Sequence, residues 1–344
     1  MRGSRVGSVC LAAIIAGVLA LAGTPAWAET SPIHARWLSP ADLETADAVR
    51  RAVSTTVTSG FNTLVVPASI FPSPLASFDG LGEIVRLAHG RGLRVHASID
   101  LNRVAAADEV PGARTNLLYE HPEWLMIPRA LAPELLPLDV RSPDYVGRLA
   151  RWTRANASRV AGLYLSPTYP DAAAQVAAAV QQLVSRYMVD GIELDNAQYP
   201  GDDFDYSRAA MDRFRGDLRP RLSAADRKRM DEIEAIDPFA YADEYPDEWR
   251  RFRQSSLTAL VTRVRTAVKS ARPDAVVSAV VTEDAVAAVK DHLQDWRTWL
   301  DNGFVDAISR RAGTSGTIAT SYEAVEPPAA VSALDFDGAP GSTH

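Results

Sequence analysis

The chain has 344 residues and a formal net charge of −7, and 47% of its residues are hydrophobic. This length is ample for a large core and fits one domain of barrel size. The acidic balance and the absence of a basic cluster argue against a nucleic-acid partner. The single cysteine, Cys10, lies in the first segment, so neither disulfides nor thiolate metal ligands are expected.

The first segment has the three-part pattern of a secretory signal peptide. Arg2 and Arg5 form a basic start, residues 9–23 are almost wholly apolar, and Ala26-Trp27-Ala28 is a small-x-small cleavage site. We expect residues 1–28 to be a signal peptide that is cleaved near Ala28. The mature protein is then secreted, or periplasmic and part of the cell envelope. The apolar stretch is short for a bilayer, so no stable membrane span is expected after cleavage.

Strands and helices alternate along the rest of the chain. Six apolar or β-branched strands are predicted at residues 35–38, 61–67, 93–99, 191–196, 275–281 and 304–309. Helices are predicted at residues 40–59, 81–89, 142–159, 171–187, 206–218, 224–235, 249–271 and 284–300. This alternation implies an α/β fold with a parallel sheet covered by helices. Six such units favour a (β/α)8-type TIM barrel over an open sheet.

Two stretches interrupt this regularity. Residues 100–137 are long and irregular, and such an insertion carries function or covers a site. Only 35 residues follow Ser309, too few for two further units, although short strands are predicted at residues 317–321 and 333–336. We therefore expect a barrel over residues 29–311 that is incomplete or atypical at its C-terminal side. Residues 312–344 would form a tail or an irregular closure.

The most informative segment is Asp190-Gly191-Ile192-Glu193-Leu194-Asp195-Asn196. Residues two apart in a strand share a face, so Glu193 and Asp195 point one way and the two apolar residues the other. Two carboxylates on a buried face are costly unless they are used or paired. Because barrel enzymes hold their active sites at the carboxyl ends of the strands, Asp195 is a candidate catalytic residue.

Several motifs, taken in order, carry a family resemblance. They are Gly60-Phe61-Asn62, Val95-His96-Ala97, His121-Pro122-Glu123-Trp124-Leu125, Leu163-Tyr164-Leu165-Ser166-Pro167, Val189-Asp190-Gly191-Ile192 with Asp195, Tyr199-Pro200, and Trp296 through Val305-Asp306. Over residues 35–308 the chain resembles the glycosyl-hydrolase-like family 10, a group of secreted bacterial proteins. The resemblance implies a barrel that acts on sugar polymers. Some members of the family act on peptidoglycan glycan strands.

The sequence departs from this family at three places. The family commonly has histidine where this chain has Glu193, and a second aspartate where it has Asn196. A proline and an aromatic pair after the sixth strand are replaced by Ser309-Arg310-Arg311. These departures leave open the alternative that the protein has lost its catalytic activity and binds carbohydrate on the same barrel. A third alternative is an envelope scaffold without a sugar site.

Glycoside hydrolysis usually needs two carboxyl groups, and three residues are candidates. Asp195 would be the nucleophile or base, its alternative being a salt bridge to an arginine inside the barrel. Glu193, about 6.5–7 Å deeper along the strand, either takes part directly or tunes the pKa of Asp195. Glu283 follows the fifth strand and is either the general acid or an acid in the first turn of a helix capped by Thr282.

The substrate-binding candidates lie near the strand ends. They are His96, Asp100, Asn102, Arg103, Trp124, Asn196 and Tyr199. His96 is either a hydrogen-bonded core residue or a substrate-binding group that faces the lumen. Asp100, Asn102 and Arg103 would bind hydroxyls or a carboxylate. The two aromatic residues are either sugar-stacking platforms or packing residues.

Two other interpretations are weaker. The segment also resembles the chitinase-type Asp-Gly-x-Asp-x-Asp-x-Glu signature, but the acid that this signature needs at position 197 is Ala197 here. Asp202, Asp203 and Asp205 miss the spacing of a calcium-binding EF-hand loop, so a solvated loop is expected. We expect no metal and no cofactor, and a carbohydrate polymer or oligosaccharide as the partner.

Overall fold

The computed structural model describes residues 32–70, 78–108 and 117–321. The predicted signal peptide (1–28) and the predicted short strand at 333–336 lie outside these residues. No helix within the three ranges is long and apolar enough to cross a bilayer.

Seven strands of the described residues close into a barrel. In order around the barrel they are β1 (Ile33–Trp37), β2 (Thr63–Pro67), β3 (Arg94–Asp100), β6 (Gly191–Asp195), β7 (Val276–Val280), β8 (Ala307–Ala312) and β9 (Ser315–Ala319). The first six are parallel neighbours, so the predicted parallel barrel is confirmed. Two further strands, β4 (Arg103–Ala106) and β5 (Gly162–Tyr164), pair antiparallel in a separate sheet within the insertion between β3 and β6.

The barrel closes in an atypical way, which confirms the expectation for its C-terminal side. Strand β9 runs antiparallel to both β8 and β1, and it pairs Ile318 with Ser309 on one side and with Ile33 on the other. A parallel strand would need a crossover of a dozen or more residues, whereas an antiparallel strand needs only a tight turn. Gly313 allows that turn, because it adopts a φ of +63° that glycine enters without a steric penalty.

Twelve α-helices are found in the described ranges. They are α1 (Ala46–Thr58), α2 (Gly80–His89), α3 (Leu117–Glu120), α4 (Ala132–Leu135), α5 (Pro143–Ala155), α6 (Pro170–Arg186), α7 (Arg208–Leu218), α8 (Ala224–Glu234), α9 (Ala240–Glu244), α10 (Pro246–Ala271), α11 (Ala285–His292) and α12 (Trp296–Asp301). The predicted helix at 284–300 is wrong as one element. Leu293 adopts a φ of +56° and ends α11, and Asp295 then caps α12 by accepting the backbone N–H of Thr298.

Side chains of the barrel strands alternate between two cores. Ile192 and Leu194 point outward into the large core between the sheet and its helices. A smaller apolar cluster fills one side of the barrel interior, and it consists of Ala35, Trp37, Val65, Val276, Ala307 and Ile318. The strand registers place Glu193 and Asp195 on this inner face, as the period-two pattern predicts.

Candidate active site

Two aspartates lie side by side at the mouth of the barrel. The register of β3 and β6 pairs Asp100 with Asp195 at the carboxyl ends of these adjacent parallel strands. Neighbouring strands are about 4.8 Å apart, so the two side chains share one small region. Their side chains are 33% and 29% exposed. The structure therefore brings Asp195 to the expected end of the barrel and supplies a second carboxylate that the sequence suggested only as a binding group.

Asn196 connects these two carboxylates. Its backbone N–H donates to Asp195 Oδ1 at 2.9 Å, and its side-chain amide donates to Asp100 Oδ1. The residue has a φ of +50°, in the left-handed region that asparagine enters more readily than most residues. This backbone turn aims both donors of one residue at the two acids.

An arginine faces each aspartate. Arg103 on β4 donates to Asp100 Oδ2 through Nε at 3.2 Å and through Nη2 at 2.5 Å. Arg311 on β8 holds its Nη1 3.6 Å from Asp195 Oδ2, which is beyond hydrogen-bond distance. The Arg311 side chain is 43% exposed, so this ion pair contributes at most about 1 kcal/mol. The predicted alternative of an arginine partner for Asp195 is thus present only as a loose contact.

Burial is the main cause that raises the pKa of Asp195, and the charge of Asp100 adds to it. The Asn196 backbone N–H and the two arginines lower that pKa without cancelling the rise. Asp100 is the nearer carboxylate to Asp195, because neighbouring strands are closer than residues two apart on one strand, and Glu193 is coupled to Asp195 as well, as expected.

Tyr164 on β5 is a further member of the site that sequence reasoning missed. It is the register partner of Arg103 and is almost fully buried. Burial raises its pKa to about 12; Arg103 opposes this rise, and the charges of Asp100 and Asp195 add to it. The phenol therefore keeps its proton at neutral pH. The only sequence signal was its place in the Leu-Tyr-Leu-Ser-Pro motif.

Glu193 lies below this pair, fully buried in the barrel interior. Its Oε2 accepts a hydrogen bond from Ser278 Oγ on β7. Burial raises its pKa to about 7, an effect that the Ser278 and Ser309 hydroxyls reduce and the charge of Asp195 increases. Since it has no exposed surface, Glu193 does not reach a substrate at the mouth in this conformation.

His96 lies deeper still and faces the lumen, packed over Gly191 of the neighbouring strand. A Cβ atom on Gly191 would lie 2.8 Å from three atoms of the His96 ring. Neither ring nitrogen has a hydrogen-bond partner among the described residues, and burial lowers the pKa of His96 to about 4. The expected substrate-binding role is therefore wrong for this fully buried, neutral ring.

Gly191→Ala is expected to destabilise the fold by about 1–3 kcal/mol, because the added methyl group overlaps the His96 ring. Gly216→Ala is the matched control, since Gly216 lies in α7 with open space around its Cβ position. That change is expected to stabilise the protein by about 0.5–1 kcal/mol. Urea unfolding measures both. His96→Ala in the Gly191→Ala background should restore part of the loss, and equal stabilities of Gly191→Ala and wild type would contradict the packing.

Three other binding candidates are buried, and their predicted roles are corrected. Tyr199 and Asn102 have no exposed surface, and Trp124 is 8% exposed. The Trp124 ring also stacks on His121, with centroids 3.8 Å apart and an interplanar angle of 5°. A sugar-stacking platform needs an open ring face, so Trp124 packs the insertion and Tyr199 packs the core beyond β6 instead. Asn102 donates to the backbone of Gln198.

Glu283 is not part of the Asp100–Asp195 pair at the mouth of the barrel. Its carboxylate is 47% exposed and forms a 3.1 Å ion pair with Arg310. The cap of α11 is Asp284, which accepts the N–H groups of residues 286 and 287, so the predicted cap at Thr282 is wrong. Asp284 caps α11 because its carboxylate reaches the free N–H groups of the first turn.

The acids of the 202–205 loop have structural partners. Asp205 is fully buried and accepts the N–H groups of Ile127 and Ser207, so the predicted solvated loop is wrong for this residue. Asp203 pairs with Arg159 at 2.9 Å. Within the described ranges, no three His, Cys, Asp or Glu residues are grouped as metal ligands.

A closed barrel of mainly parallel strands, with two acids at its carboxyl-end mouth, places this protein in the class of TIM-barrel proteins. The chain belongs to the family described as Glycosyl hydrolase-like 10, whose sequence profile matches residues 76–327. This match confirms the resemblance that the motifs indicated.

Solved structures show the same fold at low sequence identity. The β-galactosidase of the psychrophilic Marinomonas ef1 has a TM-score of 0.52 and 12% identity over 80% of this chain and 40% of that one. The cold-adapted β-galactosidase of Rahnella sp. R3 has a TM-score of 0.52 and 15% identity over 82% and 39%. This chain therefore spans about two fifths of either enzyme.

The glycoside hydrolase domain of PgaB (BpsB) from Bordetella bronchiseptica has a TM-score of 0.49 and 13% identity over 81% of this chain and 74% of that one. No curated protein sequence matches the chain. At these identities the structural likeness concerns the fold alone.

Proposed function

We propose that this protein is a secreted or envelope-located glycoside hydrolase that cleaves a bacterial polysaccharide or glycan strand by carboxylate acid/base chemistry. The observation that carries the proposal is the pairing of Asp100 with Asp195 at the open end of the barrel. Family membership supports it, because it assigns the chain to a glycosyl-hydrolase-like group.

The two acids differ in their surroundings as hydrolysis requires. Asp195 has a raised pKa, and no described residue donates a hydrogen bond to its Oδ2, so it is suited to protonate the leaving oxygen. Asp100 accepts hydrogen bonds on both oxygens, from Asn196 and from Arg103, so it is suited to face the anomeric carbon as a carboxylate.

The spacing of adjacent strands favours the retaining mechanism. Strands about 4.8 Å apart bring their end carboxyl groups close to the roughly 5–5.5 Å separation of retaining enzymes, which leaves no room for a water between the acids. Asp195 would give its proton to the glycosidic oxygen as the C–O bond breaks, while an Asp100 oxygen bonds to the anomeric carbon. A water would then attack that carbon and give its proton to Asp195, which releases Asp100 and restores both groups.

The second candidate function is carbohydrate binding without cleavage. It is favoured by the arginines, since Arg103 is bound to Asp100 and Arg311 lies 3.6 Å from Asp195. Such charge pairs can bind sugar hydroxyls through their hydrogen-bond donors and acceptors without any bond being broken. The two candidates share one surface and differ only in whether a bond is broken.

The deciding experiment incubates the purified protein with peptidoglycan glycan strands and with neutral and amino-sugar exopolysaccharides. New reducing ends are measured by mass spectrometry, and binding by calorimetry. We expect cleavage by wild type, with retained anomeric configuration in the first product by NMR, and none by the Asp100→Asn/Asp195→Asn double variant. Binding without cleavage would establish the second candidate, and neither binding nor cleavage of any of these polymers would contradict both.

A further inference from the structure

We propose that Asn196 is a positioning residue that assigns the roles of the two acids, because its side-chain amide fixes Asp100 as the acceptor and leaves the transferable proton to Asp195. This inference rests on the proposed hydrolase function and deepens it. It explains why two aspartates on one rim would not exchange roles.

Both oxygens of Asp100 already accept hydrogen bonds. Its Oδ1 accepts the amide of Asn196, and its Oδ2 accepts the guanidinium of Arg103. A protonated carboxyl group carries an O–H that is a donor, and a donor cannot face an amide N–H or a guanidinium N–H. Protonation of Asp100 would therefore weaken at least one of these two hydrogen bonds, because the protonated oxygen is a poorer acceptor.

Asp195 differs from Asp100 in one of its oxygens. Its Oδ1 accepts the backbone N–H of Asn196, whereas its Oδ2 has only the 3.6 Å contact with Arg311. A proton on Oδ2 therefore breaks no hydrogen bond to a described residue. A proton taken up by the pair is therefore directed to Asp195 by this difference.

The orientation of the Asn196 side-chain amide follows from its hydrogen-bond partners. If the Asn196 side chain were turned over, its carbonyl oxygen would face Asp100 Oδ1, and two acceptors would lie in contact. Only the orientation in which the nitrogen faces Asp100 is favourable, which makes the donor role of Asn196 a property of the site.

The surrounding elements add charges but no second connection between the acids. Arg103 comes from β4, Tyr164 from β5, Glu193 from β6 and Arg311 from β8. Arg103 hydrogen-bonds to Asp100, and Arg311 faces Asp195. Tyr164 stays protonated, and Glu193 lies below the two aspartates. Asn196 alone, among the described residues, donates to both aspartates.

The left-handed backbone of Asn196 allows two informative substitutions. Asn196→Gly suits a φ of +50° and keeps the backbone N–H, so it removes only the side-chain connection to Asp100. Asn196→Asp keeps the shape, removes the donor and adds a third carboxylate. Asn302→Asp is the matched control, because it adds the same charge at an exposed helix end away from the mouth.

The test is a carbon-13 NMR titration of the aspartate Cγ resonances, assigned with the single variants Asp100→Asn and Asp195→Asn. In wild type and Asn302→Asp, we expect the higher of the two titrations to belong to Asp195. In Asn196→Asp, that titration should move upward by about 1 pH unit, because like charges disfavour ionisation. In Asn196→Gly, the separation between the two titrations should shrink. Thermal unfolding confirms that each variant is folded.

The outcomes separate this inference from the proposed function. Unchanged titrations in folded Asn196→Gly would overturn the inference even if wild type cleaves glycans. The expected changes without any glycan cleavage would support the assignment of the proton and refute the hydrolase. If Asn196→Asp does not fold, the result for Asn196→Gly still decides.

Discussion

Asp195→Asn is expected to lower kcat for glycan hydrolysis by about 10²–10⁴-fold, with little change in KM. The amide has the same shape and can still accept the backbone N–H of Asn196 through its oxygen. It cannot donate a proton to the leaving oxygen and take it back from water. Substrate binding is therefore kept and the chemical step is lost, which steady-state kinetics on the cleaved polymer would measure.

The matched control is Asp190→Asn, just before the opposite end of the same strand. Asp190 bonds to His89 and to the backbone N–H of Val95, far from the mouth, so its replacement tests for a general loss of structure. We expect its kcat to equal that of wild type. An aryl glycoside with an acidic leaving group should rescue the first step in Asp195→Asn, since such a group leaves without a proton. A kcat of Asp195→Asn within about threefold of wild type would remove Asp195 from the mechanism.

Glu193→Gln is expected to stabilise the protein at pH 8 by as much as about 3 kcal/mol and to have little effect at pH 4. The pKa of Glu193 is about 7 in the folded protein against an ordinary value of 4.5, mainly because the side chain is buried. Between these two values the unfolded chain loses the proton and the folded chain keeps it. Stability therefore falls as pH rises from 4.5 to 7, and the loss is complete above 7.

The measurement is urea unfolding of both proteins at pH 4, 6 and 8. Glutamine removes the titration, so the difference between the variant and wild type should grow with pH over this range. Glu232→Gln on α8 is the control, because Glu232 is exposed and its replacement should leave the pH dependence of wild type unchanged. Parallel pH profiles for Glu193→Gln and wild type would show that the buried carboxyl does not titrate as expected.

The barrel strands and the inward direction of Glu193 and Asp195 could be predicted because both follow from local patterns. Alternation with period two sets the face of each side chain, and helices between the strands set their parallel order. The pairing of Asp100 with Asp195 is different. It depends on the register of two strands that are separated by residues 101–190 of the chain. No local pattern contains that register.

The aromatic residues show a second limit. An aromatic residue such as Trp124 or Tyr199 looks the same in the sequence whether it binds sugar or packs a core. Only its burial in the folded protein distinguishes these two roles. His96 is a related case, because its inward direction could be predicted while its depth below the mouth could not. Tyr164 lay within a recognised motif but became a site residue only through the pairing of β5 with β4.

The reversed direction of β9 affects how the protein can be attached to a support. Ile33 and Ile318 are register partners, so the chain enters the barrel and leaves it at one rim, while Asp195 lies at the other. A tether introduced at Pro32 or Ser321 would hold the molecule by its base. Long polymers in the surrounding medium would then reach the rim that carries Asp100 and Asp195 without obstruction from the support.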